Sequence, residues 1–256
     1  MKQCIENLTR LDILNAAFHA GKTGAHIAPS LSLVEICLAV LSEKTEKDSF
    51  ILGKGHWALG YYAAMHQLGM ITDEQFGSFE ANGGEFPGQP SRSDSNKVEC
   101  SSGSLGMGLP YALGVAIAKK NNGGRVFVVV GDGELNEGSN WEAAALASRY
   151  KLSNLIVVVD YNHFQSDGHC DEIMGQNLKR LWSAYGWNVV ECDGHSVDSI
   201  KKSFCCSDMP TAVLAKTTKG KGISFMENNN KWHHSVLSAE DYKNAVNEIG
   251  AADGLQ

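Results

Sequence analysis

Four short apolar runs, set apart by helix-length stretches, constrain this chain more than any other feature. Residues 126–130, 155–159, 189–192 and 211–215 are rich in β-branched side chains, lack polar alternation and run into turn-forming residues. Strands have this composition when both of their faces are covered. Between them lie 141–150, 178–185 and 197–204, each long enough for a helix. Strand and helix in alternation predict an α/β fold built on a doubly wound parallel sheet. The first part of the chain is more helical, with helices predicted over 6–19, 32–42, 57–68 and 110–120. A last helix is predicted over 239–249, entered through Ser238 with Asp241 three residues on. Nothing in the composition marks a linker, so residues 1–256 are expected to form one domain. In such sheets ligands bind beyond the carboxyl ends of the strands, which directs the search to the residues following each run.

The rest of the composition narrows the function classes. A chain of 256 residues that is 43% hydrophobic can bury a full core. Its formal net charge of −7, with Lys and Arg scattered, argues against a nucleic-acid surface. No apolar run approaches the roughly 18 residues of a membrane span. Residues 1–6 show no apolar stretch behind a basic start, so no leader is expected. The seven cysteines include no CxxC pair and predict reduced thiols in a cytoplasmic protein; the vicinal Cys205 and Cys206 read as a packing pair. The 27 glycines cluster at 103–108, 131–138 and 219–222, where they mark loops.

The run at 126–130 leads into Gly131-Asp132-Gly133-Glu134-Leu135-Asn136-Glu137-Gly138, and the run at 155–159 into Asp160-Tyr161-Asn162-His163-Phe164. Asp132 and Asn162 therefore stand at the ends of successive strands, one βαβ unit apart. Neighbouring strands lie about 4.8 Å apart, so one oxygen-liganded cation can bridge the two loops. A carboxylate, an amide oxygen and a backbone carbonyl form an incomplete hard shell, suited to magnesium whose other ligands are phosphate oxygens. Gly131 and Gly133 allow backbone N–H groups to approach those oxygens at a helix start. Taken alone, Gly-Asp-Gly reads equally well as a tight turn with an Asx cap; the Asn162 loop at the right remove shifts the balance.

Residues 131–168, GDGELNEGSNWEAAALASRYKLSNLIVVVDYNHFQSDG, resemble the thiamine-diphosphate signature of transketolases: GDG, about thirty residues, then N. The resemblance extends over roughly 5–245. It implies that the Asp132 and Asn162 side chains and the Phe164 carbonyl hold Mg2+ (with Ca2+ or Mn2+ as substitutes), and that Gly133 contacts the diphosphate of thiamine diphosphate. Gly103, Ser104 and Leu105 fall in the glycine-rich stretch that supports the cofactor. His26, in KTGAHIAPSLS, His56, in GKGH, and His233, after Trp232, match the family's substrate-channel histidines, with His56 also near the diphosphate. Glu137 and Glu142 match interface glutamates near the pyrimidine-binding glutamate, although an exposed helix charge is an equally ordinary role for Glu142. His195 and His234 gain nothing from the resemblance and are expected to be structural. One departure stands out. Where the family usually has a histidine that contacts donor hydroxyls, this chain has Gln89, which cannot shuttle a proton near neutral pH. The donor is therefore expected to differ from a standard sugar phosphate, or to sit differently.

In the family, a glutamate of a second, pyrimidine-binding domain activates the cofactor, and a two-carbon ketol unit passes from a ketose to an aldose. This sequence ends at Gln256, soon after its first domain. The resemblance thus implies a split enzyme: a partner chain supplies the activating glutamate, in a heterotetramer of two copies of each chain, acting on sugars or sugar phosphates. Three rivals remain. A nucleotide-binding dehydrogenase lacks its GxGxxG after a strand. A 2-oxo acid decarboxylase, 2-oxo acid dehydrogenase or 1-deoxyxylulose-phosphate synthase would share GDG…N but need fewer channel histidines. A cofactor-free assembly protein would have no use for the Asp132/Asn162 pair.

Overall fold

The structure is a computed structural model describing residues 4–252. Met1–Gln3, on which the leader expectation partly rests, and the last four residues of the expected domain lie outside the described residues. In chain order come α1 (Ile5–His19), α2 (Ile27–Ser32), α3 (Val34–Glu43), β1 (Ser49–Leu52), α4 (Ala58–Gln67), α5 (Asp73–Gly77), α6 (Gly108–Lys119) and β2 (Val126–Gly131). They are followed by α7 (Gly138–Arg149), β3 (Leu155–Tyr161), α8 (Cys170–Met174), α9 (Leu178–Ala184), β4 (Asn188–Asp193), α10 (Val197–Ser203), β5 (Thr211–Lys216) and α11 (Ala239–Ala252).

Among the described residues the strands form one parallel sheet in the order β1-β2-β3-β5-β4. Every residue of β2 is buried, as sequence reading expects of a strand covered on both faces. Successive side chains feed different cores. Phe127 and Val129 join Ile156, Val158 and Val213 in a core with α1–α4, α10 and α11. Val126, Val128 and Val130 join Val157, Val159 and Leu214 in a second core with α6, α7 and α9, closed by Trp182 and Trp187. Each fully buried Val, Leu or Ile contributes about 1.5–3 kcal/mol relative to exposure, so the two-sided burial dominates what holds the sheet.

The predicted strands and helices are present, and the doubly wound parallel α/β architecture is confirmed. Three corrections follow. β1 is an unpredicted fifth strand: Ser49-Phe50-Ile51-Leu52 is too short to register as a run, yet it is fully buried against β2. The helix predicted over 32–42 is α3, and α2 is a further, unpredicted helix just ahead of it, the chain turning at Leu33 (φ −102°, ψ 0°) between the two. α5, closed by a Thr72/Gln75 capping box, and α8 are further unpredicted helices. The start of α11 is as expected, with Ser238 Oγ accepting the Asp241 N–H at 3.1 Å. No helix of the described residues is long and apolar enough to cross a membrane. No disulfide forms among them.

The parallel order puts the carboxyl ends of β1, β2, β3 and β5 side by side. The segments that follow them start at Gly53, Asp132, Asn162 and Thr217, and these converge on one site.

Candidate functional site

Asp160 is the hub of this convergence. It sits near the end of β3, in register with Gly131 of β2 and Ala215 of β5, and is fully buried. Its Oδ2 accepts from Ser32 Oγ of α2 (2.9 Å), Lys54 Nζ after β1 (2.9 Å) and Asn162 Nδ2 (2.8 Å). Its Oδ1 accepts a short hydrogen bond from Thr217 Oγ1 after β5. Burial alone would lower the Lys54 pKa, but the attraction and hydrogen bond of Asp160, helped by Asp132 and Glu134, hold it above the ordinary lysine value. Neither Asp160 nor Lys54 is singled out by sequence reasoning, since their partners come from segments far apart in the chain.

Asp132, Asn162 and Gly133 line one cavity of about 510 Å³. Asp132 Oδ1 accepts the Gly133 N–H at 2.8 Å and Oδ2 accepts the His163 N–H. His163 reaches this position in the left-handed region, φ 62°, unusual for a residue with a Cβ. The Asn162 side chain is held at both ends: Nδ2 on Asp160, and Oδ1 accepting the Phe164 N–H at 2.8 Å. The carbonyl's second lone pair remains for a cation. Burial and the neighbouring Asp160 push the Asp132 carboxyl up to about 6, against the pull of Lys54 and the two N–H donors. A buried carboxylate in that condition beside an amide oxygen is a donor set that a hard divalent ion fits. The cavity is backed by close backbone approach. A Cβ on Gly133 would lie 2.6 Å from Gln165 Cβ, and one on Gly108 would lie 2.4 Å from Gly53 Cα.

Two further cavity residues were not predicted. Glu134 accepts N–H groups from Gly106 (3.0 Å) and Gly131 (3.2 Å), tying the glycine-rich stretch to the end of β2, and burial pushes its carboxyl up to about 7. Lys219 donates to the Gln165 carbonyl (3.1 Å) and Asn230 Oδ1 (2.7 Å); burial, then repulsion from Lys54, brings it down to about 8. In the sequence Lys219 is masked by the surrounding basic cluster, Lys216 to Lys221.

The predicted histidines come together. Ring centroids of His26 and His56 are 5.2 Å apart, His56 and His233 5.2 Å, and His26 and His233 5.4 Å. Burial lowers all three, helped at His26 by the His234 ring and at His233 and His56 by nearby lysines and rings: His26 to about 4, His233 to about 3, and His56 well below the usual range. Each ring is therefore neutral near pH 7, offering one donor and one acceptor. His233 Nδ1 is buried with no partner, a demand that a polar ligand would meet. His56 and His233 line the main cavity, whereas His26 lines an adjoining space of about 260 Å³ that shares His56 with it. Gln89 and His234 line that annex as well.

The remaining sequence candidates are placed less uniformly. Gly103, Leu105, Phe164 and Glu137 line the main cavity. Ser104 is exposed and is not part of the lining, and Glu142 is an exposed charge on α7. His195 braces the loop after β5: its Nε2 accepts the Thr218 N–H at 2.8 Å, so Nδ1 carries the proton toward Glu35 Oε2 at 3.1 Å, and Glu35 is paired in turn with Arg10.

Residues 26–254 match the family described as transketolase, thiamine diphosphate binding domain. The chain belongs to the transketolase family. It is 38% identical over 253 residues to an apulose-4-phosphate transketolase subunit of Actinobacillus succinogenes, covering 94% of this chain and 92% of that one. It is 33% identical to the 6-deoxy-6-sulfo-D-fructose transketolase subunit SqwG of a Clostridium species, covering 90% of each. Among solved structures, the transketolase of Campylobacter jejuni superposes with a TM-score of 0.86 at 27% identity, covering 98% of this chain. This transketolase-family chain spans only 43% of that protein.

Proposed function

We propose that this chain is the diphosphate-and-metal-binding component of a two-chain transketolase, moving a two-carbon ketol unit from a ketose to an aldose. The observation that carries it is the meeting of Asp132, Asn162 and Gly133 in one cavity, flanked by three neutral imidazoles. Two similar proteins that this chain covers to nine-tenths of their length bear the name transketolase subunit, which supports a separate partner. That partner, a chain with the pyrimidine-binding domain, supplies the activating glutamate in a heterotetramer of two copies of each, with Glu137 and Glu142 facing the interface. The two named substrates, apulose 4-phosphate and 6-deoxy-6-sulfo-D-fructose, support a donor other than a common sugar phosphate, in keeping with Gln89. The absence of a disulfide-like cysteine pattern in the sequence supports a cytoplasmic setting.

Thiamine diphosphate, when bound, supplies the electron sink for carbon–carbon cleavage. Everything else falls to the protein. Asp132, the Asn162 amide oxygen and the Phe164 carbonyl would hold Mg2+, which would help to neutralise the diphosphate. Gly133, with Gly103 and Leu105, would bring backbone to the cofactor, and Lys54 and Lys219 would balance its charge; Ser104, exposed outside the lining, is left to follow its neighbours. His26, His56 and His233 hold substrate hydroxyls, each neutral ring offering one hydrogen-bond donor and one acceptor. Residues 1–256 act as one domain in this role.

The test is reconstitution. The isolated chain should show no ketol transfer, and mixing it with a pyrimidine-domain partner, thiamine diphosphate and Mg2+ should restore turnover of a ketose but not of pyruvate. Turnover by the purified chain alone, or preference for pyruvate in the complex, would overturn the reading.

A further inference from the structure

The loop after β3 carries a cluster of side chains that the cofactor site does not use. Residues 163–170 fold back in a short hairpin. Phe164 and His169 face each other in an antiparallel bridge, the Cys170 N–H donates to the His163 carbonyl at 2.8 Å, and the Gln165 N–H donates to the Gly168 carbonyl at 3.0 Å. That register sets His163 and His169 side by side, with rings stacked 5.6 Å apart and 5° from parallel. Asp171 follows in the first turn of α8, and one ligand atom from each of His163, His169 and Asp171 lies within 4.8 Å of the others. None of the three lines the main cavity.

The electron pairs of this cluster are crowded with little to share them. His169 Nδ1 accepts the Asp171 N–H at 3.3 Å, so it carries a lone pair, and it stands 3.7 Å from Asp171 Oδ2. His163 makes its hydrogen bonds through its backbone alone among the described residues, which leaves its imidazole nitrogens to solvent or a ligand. Its left-handed backbone, φ 62°, is a strained placement of the kind that binding sites retain, and it holds the ring over that of His169. A cation between these atoms would turn their repulsion into coordination. Zinc ligands at about 2.0–2.1 Å in a tetrahedron stand roughly 3.4 Å apart, and rotation of the exposed Asp171 side chain closes the difference. Imidazole nitrogens suit zinc and its neighbours, whereas Mg2+ asks for oxygen.

We propose that His163, His169 and Asp171 form a second metal site, for a zinc-like divalent ion, which clamps the two arms of this hairpin together. Two imidazoles and a carboxylate leave a fourth position to water. The site is separate from the oxygen-only set at Asp132 and Asn162, and it does not depend on the ketol-transfer reading. Because the same loop bears Asn162 and Phe164, the ion would stiffen it from outside the cavity.

The test uses the full chain carrying Cys205→Ser and Cys206→Ser, which removes the exposed vicinal thiols as competing ligands. Calorimetric titration with Zn2+ in excess Mg2+ should show a single ion bound per chain. His169→Gln, which keeps an acceptor for the Asp171 N–H, and His163→Asn, which tolerates the left-handed backbone, should each weaken binding more than about 100-fold, beyond the loss of a merely supporting group. Asp171→Asn should weaken it about tenfold. Because Asp171 is exposed, this last variant should melt like its parent without metal, so its effect is not one of folding. With Co2+ as the probe, the bound ion should absorb as a tetrahedral centre without a thiolate charge-transfer band. Zn2+ binding unchanged by the three substitutions, displacement of Zn2+ by Mg2+, or a thiolate band that puts the ion on Cys170 would each overturn the site. Ketol transfer by the two-chain enzyme can stand or fall without touching this result.

Discussion

At Asp132 a carboxylate is buried beside a second one, and only Lys54 and two N–H groups oppose the cost. A bound divalent ion would remove that cost, which makes the charge, rather than the shape, the quantity to change. Asp132→Asn should weaken Mg2+-dependent thiamine diphosphate binding by about 100-fold, the upper end for loss of support at a metal site. Calorimetry on the two-chain complex measures this, and an affinity within threefold of wild type would place the ion elsewhere. His66 offers a pH-dependent prediction. Burial lowers its pKa, but hydrogen bonds to Asp73 and Asp12 (2.8 and 2.6 Å) outweigh burial and raise it. The folded value lies above the unfolded one, so this stabilisation is complete below the unfolded pKa and fades as pH rises through the folded pKa. Between about pH 6 and pH 8, the histidine range, the wild type should lose roughly 2 °C more in Tm than His66→Gln. Parallel melting curves for the two proteins would show that the pair is energetically idle. Asp132, Gly133 and Asn162 were legible because a fixed spacing sets them at the ends of adjacent strands. Asp160 was not, because its importance lies in Ser32, Lys54 and Thr217, which no local pattern connects to it.

Among the elements, the approach of α6 to the loop after β1 is the tightest constraint on the cavity. Gly108 opens α6 and faces Gly53 backbone to backbone, and Gly106 sits against Glu137 and Ser139 at the start of α7. Gly108→Ala should therefore cost about 1–3 kcal/mol by overpacking, read as a lower urea midpoint, and should weaken cofactor binding as well. A variant as stable as wild type would mean that the loop gives way without strain. The long strands were readable because complete burial writes an unbroken apolar run. β1 escaped notice because four residues do not make a run, and α2 because six residues are too few to show a helical period. The loop bearing Lys219 was legible only as a glycine cluster. Its brace, Arg10 to Glu35 to His195 to Thr218, joins α1, α3, the end of β4 and the loop after β5, and distance in sequence conceals it.

For the molecule as a whole, the cavity lies where four strand ends meet, so ligand binding should stabilise the entire sheet. With thiamine diphosphate and Mg2+ at about 100 times Kd, the two-chain complex should gain about 2.7 kcal/mol, a rise of roughly 5–10 °C in Tm. Chelation of the metal should return the curve to that of the cofactor-free complex. If chelator leaves the gain in place, the cofactor binds without the ion. The doubly wound architecture was legible from strand and helix alternation even without β1. In the adjoining space His26, His56 and Gln89 were legible from their local motifs, whereas Phe79, Glu80 and His234 were not, since nothing in their own stretches of chain connects them to those residues.

The four hydrogen bonds on Asp160 have a consequence for any attempt to remodel this protein. Its donors belong to a helix, two neighbouring loops and its own strand end, and each is answerable to the same two oxygens. Swapping in a foreign version of one loop, as is common in redesigning specificity, would strand part of a charge sealed from water, at about 1–3 kcal/mol for each donor forfeited. Retailoring here has to proceed by exchanging the segments around Ser32, Lys54, Asn162 and Thr217 together, or by confining changes to residues such as His234 that stand outside that knot.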